Sequence, residues 1–351
     1  MTKKFNIGFI GAGFISQVAH LPNYIDHELC NVVALAELRT SLGAEVCKKW
    51  GIERLYDNHH DLLKDPSIDA VVAVVRRHHT APIALDIIKS NKNLFTEKPF
   101  AQTYSIAYEL VNEAKARNLI YGVGFMRRYD DAVKRAKIEF DSIMESGELG
   151  SLLFSRLYLS AGGDYCNIDG DIKSDEPKPM HRVWDVAPAF LPPDLHNSFE
   201  HFVNVSGHDI NLLRYFFPDN ISVKSAFFEP GKGAIAVFDL GHSYASFEWM
   251  DTLEPTRWEE GLEFRFQKGF IKLKLQPAFL RSQPSILEIY RDHGRSGGLT
   301  TNYHSDWTWA FKNECSYFLQ SLRDGVQPVS NAYDALYDMR LIEEMWSHII
   351  R

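Results

Sequence analysis

Over the first 125 residues, short runs of β-branched and apolar residues alternate with stretches of helical periodicity. Phe5–Ile10 is the first such run and residues 32–37 (VVALAE) the second. Residues 70–75 (AVVAVV) are apolar throughout, the pattern of a strand buried on both faces. Ser41 is a candidate N-cap for a helix reaching Trp50. Thr80-Ala81-Pro82 offers a cap and an N1 proline for a helix to about Ser90. Residues 93–96 and 121–125 are further strand candidates, separated by a helix over 105–117. Such alternation implies parallel pairing through right-handed crossovers. Residues 1–125 are therefore expected to form an α/β domain, a doubly wound parallel sheet of Rossmann type.

The texture changes near residue 130. A charged helix over 130–145 ends at Gly147, and residues 152–159 begin a set of longer strands. Residues 234–238 and 244–249 flank Leu240-Gly241; residues 262–267 and 270–275 flank Lys268-Gly269. Charged and apolar residues alternate in these runs, which suits a sheet with one wet face. Residues 126–351 are thus expected to form an α+β domain with a large, mostly antiparallel open sheet. The tail is helical from Asp306 and ends in a helix over 333–348, available to pack back on the first domain. Residues 162–198 are rich in Gly, Pro, Asp and Trp and lack periodicity; a loop that long is usually functional.

At 351 residues the chain exceeds one ordinary core, in keeping with two domains. Its net charge of -8 argues against nucleic acid and against an anionic membrane surface. No stretch approaches the roughly 20 apolar residues that span a bilayer, and the N-terminal residues lack a signal-peptide pattern. Cys30, Cys47, Cys166 and Cys315 are far apart and form no Cys-x-x-Cys pair, so free thiols in a cytoplasmic protein are expected.

Chemistry enters at Gly11-Ala12-Gly13-Phe14-Ile15-Ser16, where the first strand meets a helix. The first glycine permits the turn, and the second lets backbone N–H groups approach a pyrophosphate at the helix N-terminus. Ser16 stands where the third glycine of the usual pattern would be. Glu37, at the end of the second strand, would accept hydrogen bonds from an adenosine ribose and repel the extra phosphate of NADP. Arg39 leaves NADP open, although NAD is favoured. Thr96-Glu97-Lys98-Pro99 lies at the end of the strand over 93–96, so Lys98 would point into the cofactor crevice beside Glu97.

Here the sequence resembles the Gfo/Idh/MocA family (glucose–fructose oxidoreductase, inositol dehydrogenase, rhizopine catabolism). The motifs are Gly8-x-x-Gly11-x-Gly13, Glu97-Lys98-Pro99, Gly124-Phe125-x-Arg127-Arg128-Tyr129, Gly147-x-Leu149-Gly150, and Gly207-His208 before Ile210-Asn211-Leu212-Leu213. The resemblance implies an NAD(H)-dependent dehydrogenase or reductase acting on a CH–OH group of a sugar, cyclitol or glycoside. Lys98 would stabilise the charge developing on the reacting hydroxyl. His208 would exchange its proton, since an imidazole pKa of about 6.5 suits working pH.

Asn204 stands where the family often has Asp, one helical turn before His208; it can orient the imidazole but not stabilise it by charge. After the fourth strand the family usually shows Thr-Pro-Asn, whereas this chain has Arg76-Arg77-His78-His79. Arg76 and His79 are candidates for cofactor phosphates or an anionic substrate group; solvated arginines over the adenine side are the alternative. Arg128 and, in the long loop, Asp164 and Trp184 are candidate contacts to a small polyhydroxylated substrate. The resemblance further implies a homodimer or homotetramer through the C-terminal sheet.

Two other functions stay open: a lyase or glycoside-cleaving enzyme that uses bound NAD transiently for oxidation, elimination and reduction, and a non-catalytic cofactor sensor. Gly294-Arg295-Ser296-Gly297-Gly298 matches a hydrolase elbow, but no amphipathic helix follows, so it is set aside. His59-His60 and His78-His79 are not expected to bind metal, because adjacent side chains diverge and no third ligand accompanies them.

Overall fold

The computed structural model describes residues 4–163, 165–177, 184–218, 221–250 and 257–350. They divide into two units: residues 1–126, 169–189 and 311–339, and residues 127–168, 190–310 and 340–351.

The first unit is built on six parallel strands: β1 (Phe5–Ile10), β2 (Cys30–Ala36), β3 (Arg54–Tyr56), β4 (Ala70–Ala73), β5 (Asn93–Thr96) and β6 (Tyr121–Val123). Their order is β3-β2-β1-β4-β5-β6, the doubly wound Rossmann arrangement. The connecting helices are α1 (Leu21–Ile25), α2 (Thr40–Trp50), α3 (His59–Leu63), α4 (Arg77–Lys89) and α5 (Tyr104–Ala116). Both faces of the sheet are covered, which is why β4 is apolar at every position. Ile7, Phe9, Leu35, Val72 and Phe95 form its core with Cys315, Phe318 and Leu319 from residues 311–339.

Two helix starts differ from expectation. α2 begins at Thr40, with Arg39 at the cap position and no capping side chain of its own, so Ser41 lies inside the helix. α4 begins at Arg77 and contains Pro82. The proline's fixed φ suits a helix, and its missing N–H costs one intrahelical bond in the interior of α4.

The second unit contains α6 (Asp131–Ser146), α7 (His196–Phe216) and an eight-stranded sheet: β7 (Leu152–Ser160), β8 (Ser222–Glu229), β9 (Gly233–Asp239), β10 (Tyr244–Met250), β11 (Glu259–Phe266), β12 (Gly269–Leu275), β13 (Ile286–Asp292) and β14 (Gly298–Tyr303). The order is β14-β13-β12-β11-β7-β10-β9-β8, antiparallel except for the β7–β10 pair. One face packs on helices: Phe140 of α6 meets Phe264 and Phe266, and Phe202 of α7 meets Phe247 and Trp249. The other carries Arg156–Glu248 and Lys272–Glu263–Arg265 ion pairs. The chain ends in α8 (Ala310–Asp324) and α9 (Ala332–Ile349).

α7 is longer than the sequence pattern suggests, reaching back to His196. Phe199, Phe202, Val203, Ser206, Ile210 and Leu213 line one buried face at helical spacing. All four cysteines are free thiols. Among the described residues no helix is long and apolar enough to cross a membrane. Residues 299–302, after the glycine-rich Gly294–Ser296 turn, form strand β14 rather than a helix, so the hydrolase elbow has no structural counterpart.

Candidate cofactor and active site

In the first unit the chain turns sharply after β1. Gly11 has φ +93°, and a Cβ there would lie 2.4 Å from the Val74 carbonyl oxygen. Only glycine brings the ends of β1 and β4 this close, at the point where the strand order reverses. A Cβ on Gly13 would meet nothing within 4 Å, so space lies above the turn. Phe14 is exposed and Ile15 half-buried against the core. Ser16–His20 form a π-helical turn running into α1, with Ser16 fully buried. The buried serine does what the missing third glycine would, letting helix and sheet approach. This open turn ahead of a helix N-terminus fits a dinucleotide pyrophosphate.

Glu37 follows β2 and is 6% exposed. Its Oε2 accepts from the Ala12 amide at 2.8 Å, tying it to the glycine turn. Its two oxygens also hold the Arg39 guanidinium, at 2.8 and 3.0 Å. Burial alone would raise its pKa, but the Arg39 guanidinium and the Ala12 and Arg39 amides outweigh it and hold the carboxyl below its ordinary range. Glu37 is thus an anion in place for ribose hydroxyls, with Arg39 already engaged.

Arg76 and His79 sit where β4 gives way to α4, Arg76 exposed at the cap position and His79 buried. β5 ends at Thr96, and Glu97 and Lys98 follow at the carboxyl edge of the sheet; the Lys98–Pro99 peptide is cis. Glu97 is buried; its Oε2 accepts from the Lys98 amide at 2.9 Å and its Oε1 meets His20 Nε2 at 2.8 Å. His20, itself buried, lies between the rings of Phe95 and Phe311. Glu314, 1% exposed, has no hydrogen-bond partner on either oxygen among the described residues. Burial, reinforced by the Glu97 carboxylate, pushes its pKa well above the ordinary value and so favours the protonated form.

The sequence pattern misses His20 and Glu314 because neither lies in a recognisable motif. Their roles follow from which side chains the sheet and α8 bring together. Trp184 also lies in this unit and is half-buried.

In the second unit Asn204 and His208 are both half-buried on α7, one turn apart on the same face. Asp209, adjacent in sequence, is fully buried with neither oxygen bonded among the described residues. Burial first, then the Glu260 carboxylate, raises its pKa well above the ordinary value against the pull of Arg127. It carries a proton and faces the core, not the His208 side.

Arg127 pairs with Glu260 and donates to the Gln276 carbonyl at 2.6 Å. Arg128 is also buried, donating to the Asn211 carbonyl of α7 at 2.9 Å with its guanidinium 5.3 Å from the Tyr215 ring. The Arg128 contacts anchor α7, and with it His208. Asp164 lies outside the described residues.

The expected divergence of His59 and His60 is not what the fold produces. Their rings lie 4.0 Å apart and both approach the Asp86 carboxylate, His59 Nε2 at 2.9 Å. The ligand atoms of these three residues fall within 4.8 Å of one another. α4 supplies the third partner, which spacing along the chain could not show.

Residues 5–125 match the model of an oxidoreductase family with an NAD-binding Rossmann fold, GFO_IDH_MocA. Over these residues the chain is similar to the Gfo/Idh/MocA family. Among Gfo/Idh/MocA relatives, myo-inositol 2-dehydrogenase of Thermotoga maritima is 28% identical over 173 residues, 48% of this chain and 50% of that protein. Levoglucosan dehydrogenase of Pseudarthrobacter phenanthrenivorans is 28% identical over 165 residues, covering 45% and 41% of the two chains. The match to these curated relatives thus spans half of their length or less. The fold likeness is wider. A levoglucosan dehydrogenase in complex with NADH and levoglucosan superposes with TM-score 0.78 at 16% identity over 99% of this chain and 98% of that one. A 3-ketoreductase from Actinomadura kijaniata in complex with NADP and a TDP-benzene ligand does so with TM-score 0.76 at 16% identity, over 99% and 98%.

Proposed function

We propose that the protein is an NAD(H)-dependent oxidoreductase moving a hydride between the nicotinamide and a hydroxyl-bearing carbon of a sugar, cyclitol or glycoside. The observation that carries this reading is that Lys98, an open glycine turn and a buried, ionised Glu37 all follow strands at the same carboxyl edge of a Rossmann sheet. The relatives named for myo-inositol and levoglucosan support a polyhydroxylated substrate.

Amides around Gly11, Gly13, Phe14 and Ile15 receive the pyrophosphate, and Glu37 takes the ribose hydroxyls. Arg76 and His79 attract phosphate or an anionic substrate group. When bound, the nicotinamide supplies the acceptor or donor of the hydride. The Lys98 ammonium, held beside Glu97, stabilises negative charge on the substrate oxygen. His208 takes the hydroxyl proton in oxidation and returns it in reduction, with Asn204 orienting the imidazole through hydrogen bonding rather than charge. Arg128 keeps α7 in place, and Trp184 offers an aromatic face to the ring, with Asp164 a polar contact to its hydroxyls.

The same reading assigns the outer face of the large sheet, where Phe227 and Ile235 are 70% and 56% exposed, to a contact between copies in a cytoplasmic homodimer or homotetramer. Sedimentation measures it.

The test is Lys98→Met. Its kcat is expected to fall by about 10²–10³-fold while the Kd for NADH stays within about threefold of the parent. An unchanged kcat removes Lys98 from the chemistry.

A further inference from the structure

The N-terminus of α2 is closed by a residue from far along the chain. Helix starts ordinarily satisfy their second and third amides with the side chain of the capping residue. Here Arg39 occupies that position without capping, and the Glu176 carboxylate accepts from the Ser41 amide at 3.1 Å and the Leu42 amide at 3.0 Å. Ser174 Oγ donates to the same carboxylate at 3.0 Å. The segment bearing Glu176 is tied down within the first unit. Gln17 accepts from the Ile172 amide at 2.8 Å and donates to its carbonyl at 3.0 Å and to that of Ala12 at 2.9 Å. Lys49 Nζ holds the Gly170 carbonyl at 2.5 Å.

Two features just after β2 would attract a phosphate on the adenosine ribose: the Arg39 guanidinium and the amides at the start of α2. Both already engage carboxylates, Arg39 Nε and Nη2 with Glu37 and the Ser41 and Leu42 amides with Glu176. Those amides lower the Glu176 pKa, with Ser174 assisting, so the group is anionic at neutral pH. Residues 169–176 also carry Asp169, Asp171 and Asp175 against Lys173.

We propose that Glu176 is a specificity-determining residue: its carboxylate takes the donors that the 2′-phosphate of NADP would use, and thereby selects NAD. This rests on the nicotinamide-binding reading above. Glu37 rejects the phosphate by charge at the ribose itself; Glu176 closes the helix terminus beside it. An incoming 2′-phosphate would have to displace one carboxylate while lying against the other, whereas the plain hydroxyl of NAD leaves both in place.

Titrations of the full chain with NADH and NADPH, read by binding heat or nicotinamide fluorescence, test it without reference to turnover. The parent is expected to bind NADH more tightly. Glu176→Ala and Glu176→Gln are expected to tighten NADPH by about tenfold, with NADH unchanged within about threefold. Adenosine 2′,5′-bisphosphate should gain with NADPH, and 5′-AMP should not.

Lys49→Ala, which loosens the segment but keeps the carboxylate, is expected to move both cofactors together. An unchanged NADPH-to-NADH ratio in both Glu176 variants, with NADH bound normally, overturns the role of Glu176 and leaves the nicotinamide site standing. An equal ratio shift in Lys49→Ala also overturns it, assigning selectivity to loop order. A parent that binds neither cofactor overturns both readings.

Discussion

Glu37 and Lys98 are legible in the sequence because each sits at a fixed offset from a strand that announces itself by its apolar run. Their partners are not. Glu97 bonds His20, 77 residues away, and Glu314 comes from a helix at the other end of the chain. No spacing rule encodes such contacts; they exist only once β1, β5 and α8 share a core. Arg128 shows the converse. Its motif suggests a substrate contact, yet its guanidinium is buried against α7. The His20–Glu97 pair leads to a prediction at this scale. His20→Ala leaves a buried carboxylate short of one partner and should cost about 1–3 kcal/mol of unfolding free energy in urea. A loss under about 0.5 kcal/mol would mean that the imidazole contributes nothing to holding Glu97.

Elements with strong periodicity are legible to within a residue or two, and departures concentrate where tertiary contacts replace local signals. α2 lacks its own cap because Glu176 supplies one. The start of α7 within the aperiodic stretch over 162–198 is masked because its first turn follows directly on Pro192, Pro193 and Asp194. β3, β8, β13 and β14 escape the pattern, β3 being only three residues long. Where a terminus does carry its own signal, the sequence shows it. Gly147 ends α6 at φ +66°, and a Cβ on it would meet nothing within 4 Å. Gly147→Ala therefore meets no clash, and only the left-handed backbone opposes it. A stability loss of about 1–2 kcal/mol is expected in denaturant titration. A loss above about 4 kcal/mol would show that the turn does more than end the helix.

Among the described residues each unit buries a carboxyl whose pKa burial raises well above the ordinary value, Glu314 in the first and Asp209 in the second. Both pKa values are raised above the ordinary 4.5 and 3.8. The folded chain then holds protons that the unfolded chain has released, so this contribution to stability is greatest in acid. It falls as pH rises above those ordinary values, until the folded-state pKa is passed. Melting temperatures measured between mildly acidic and mildly alkaline pH should show this slope, and Glu314→Gln and Asp209→Asn should each flatten it. A slope unchanged in both variants would place its origin elsewhere.

The two-part fold is legible because periodicity switches near residue 130, from strand–helix alternation to paired strands. The substrate is not, since Asp164 and its loop carry no pattern that names a ligand. The central claim is net hydride transfer. It is tested most directly by following nicotinamide absorbance while the full chain, with NAD, is offered a panel of sugars, cyclitols and glycosides including myo-inositol and levoglucosan. The account predicts that at least one of them reduces NAD stoichiometrically, and that Lys98→Met abolishes this while still binding the cofactor. Product released with no net change in absorbance would contradict it and favour transient oxidation followed by elimination.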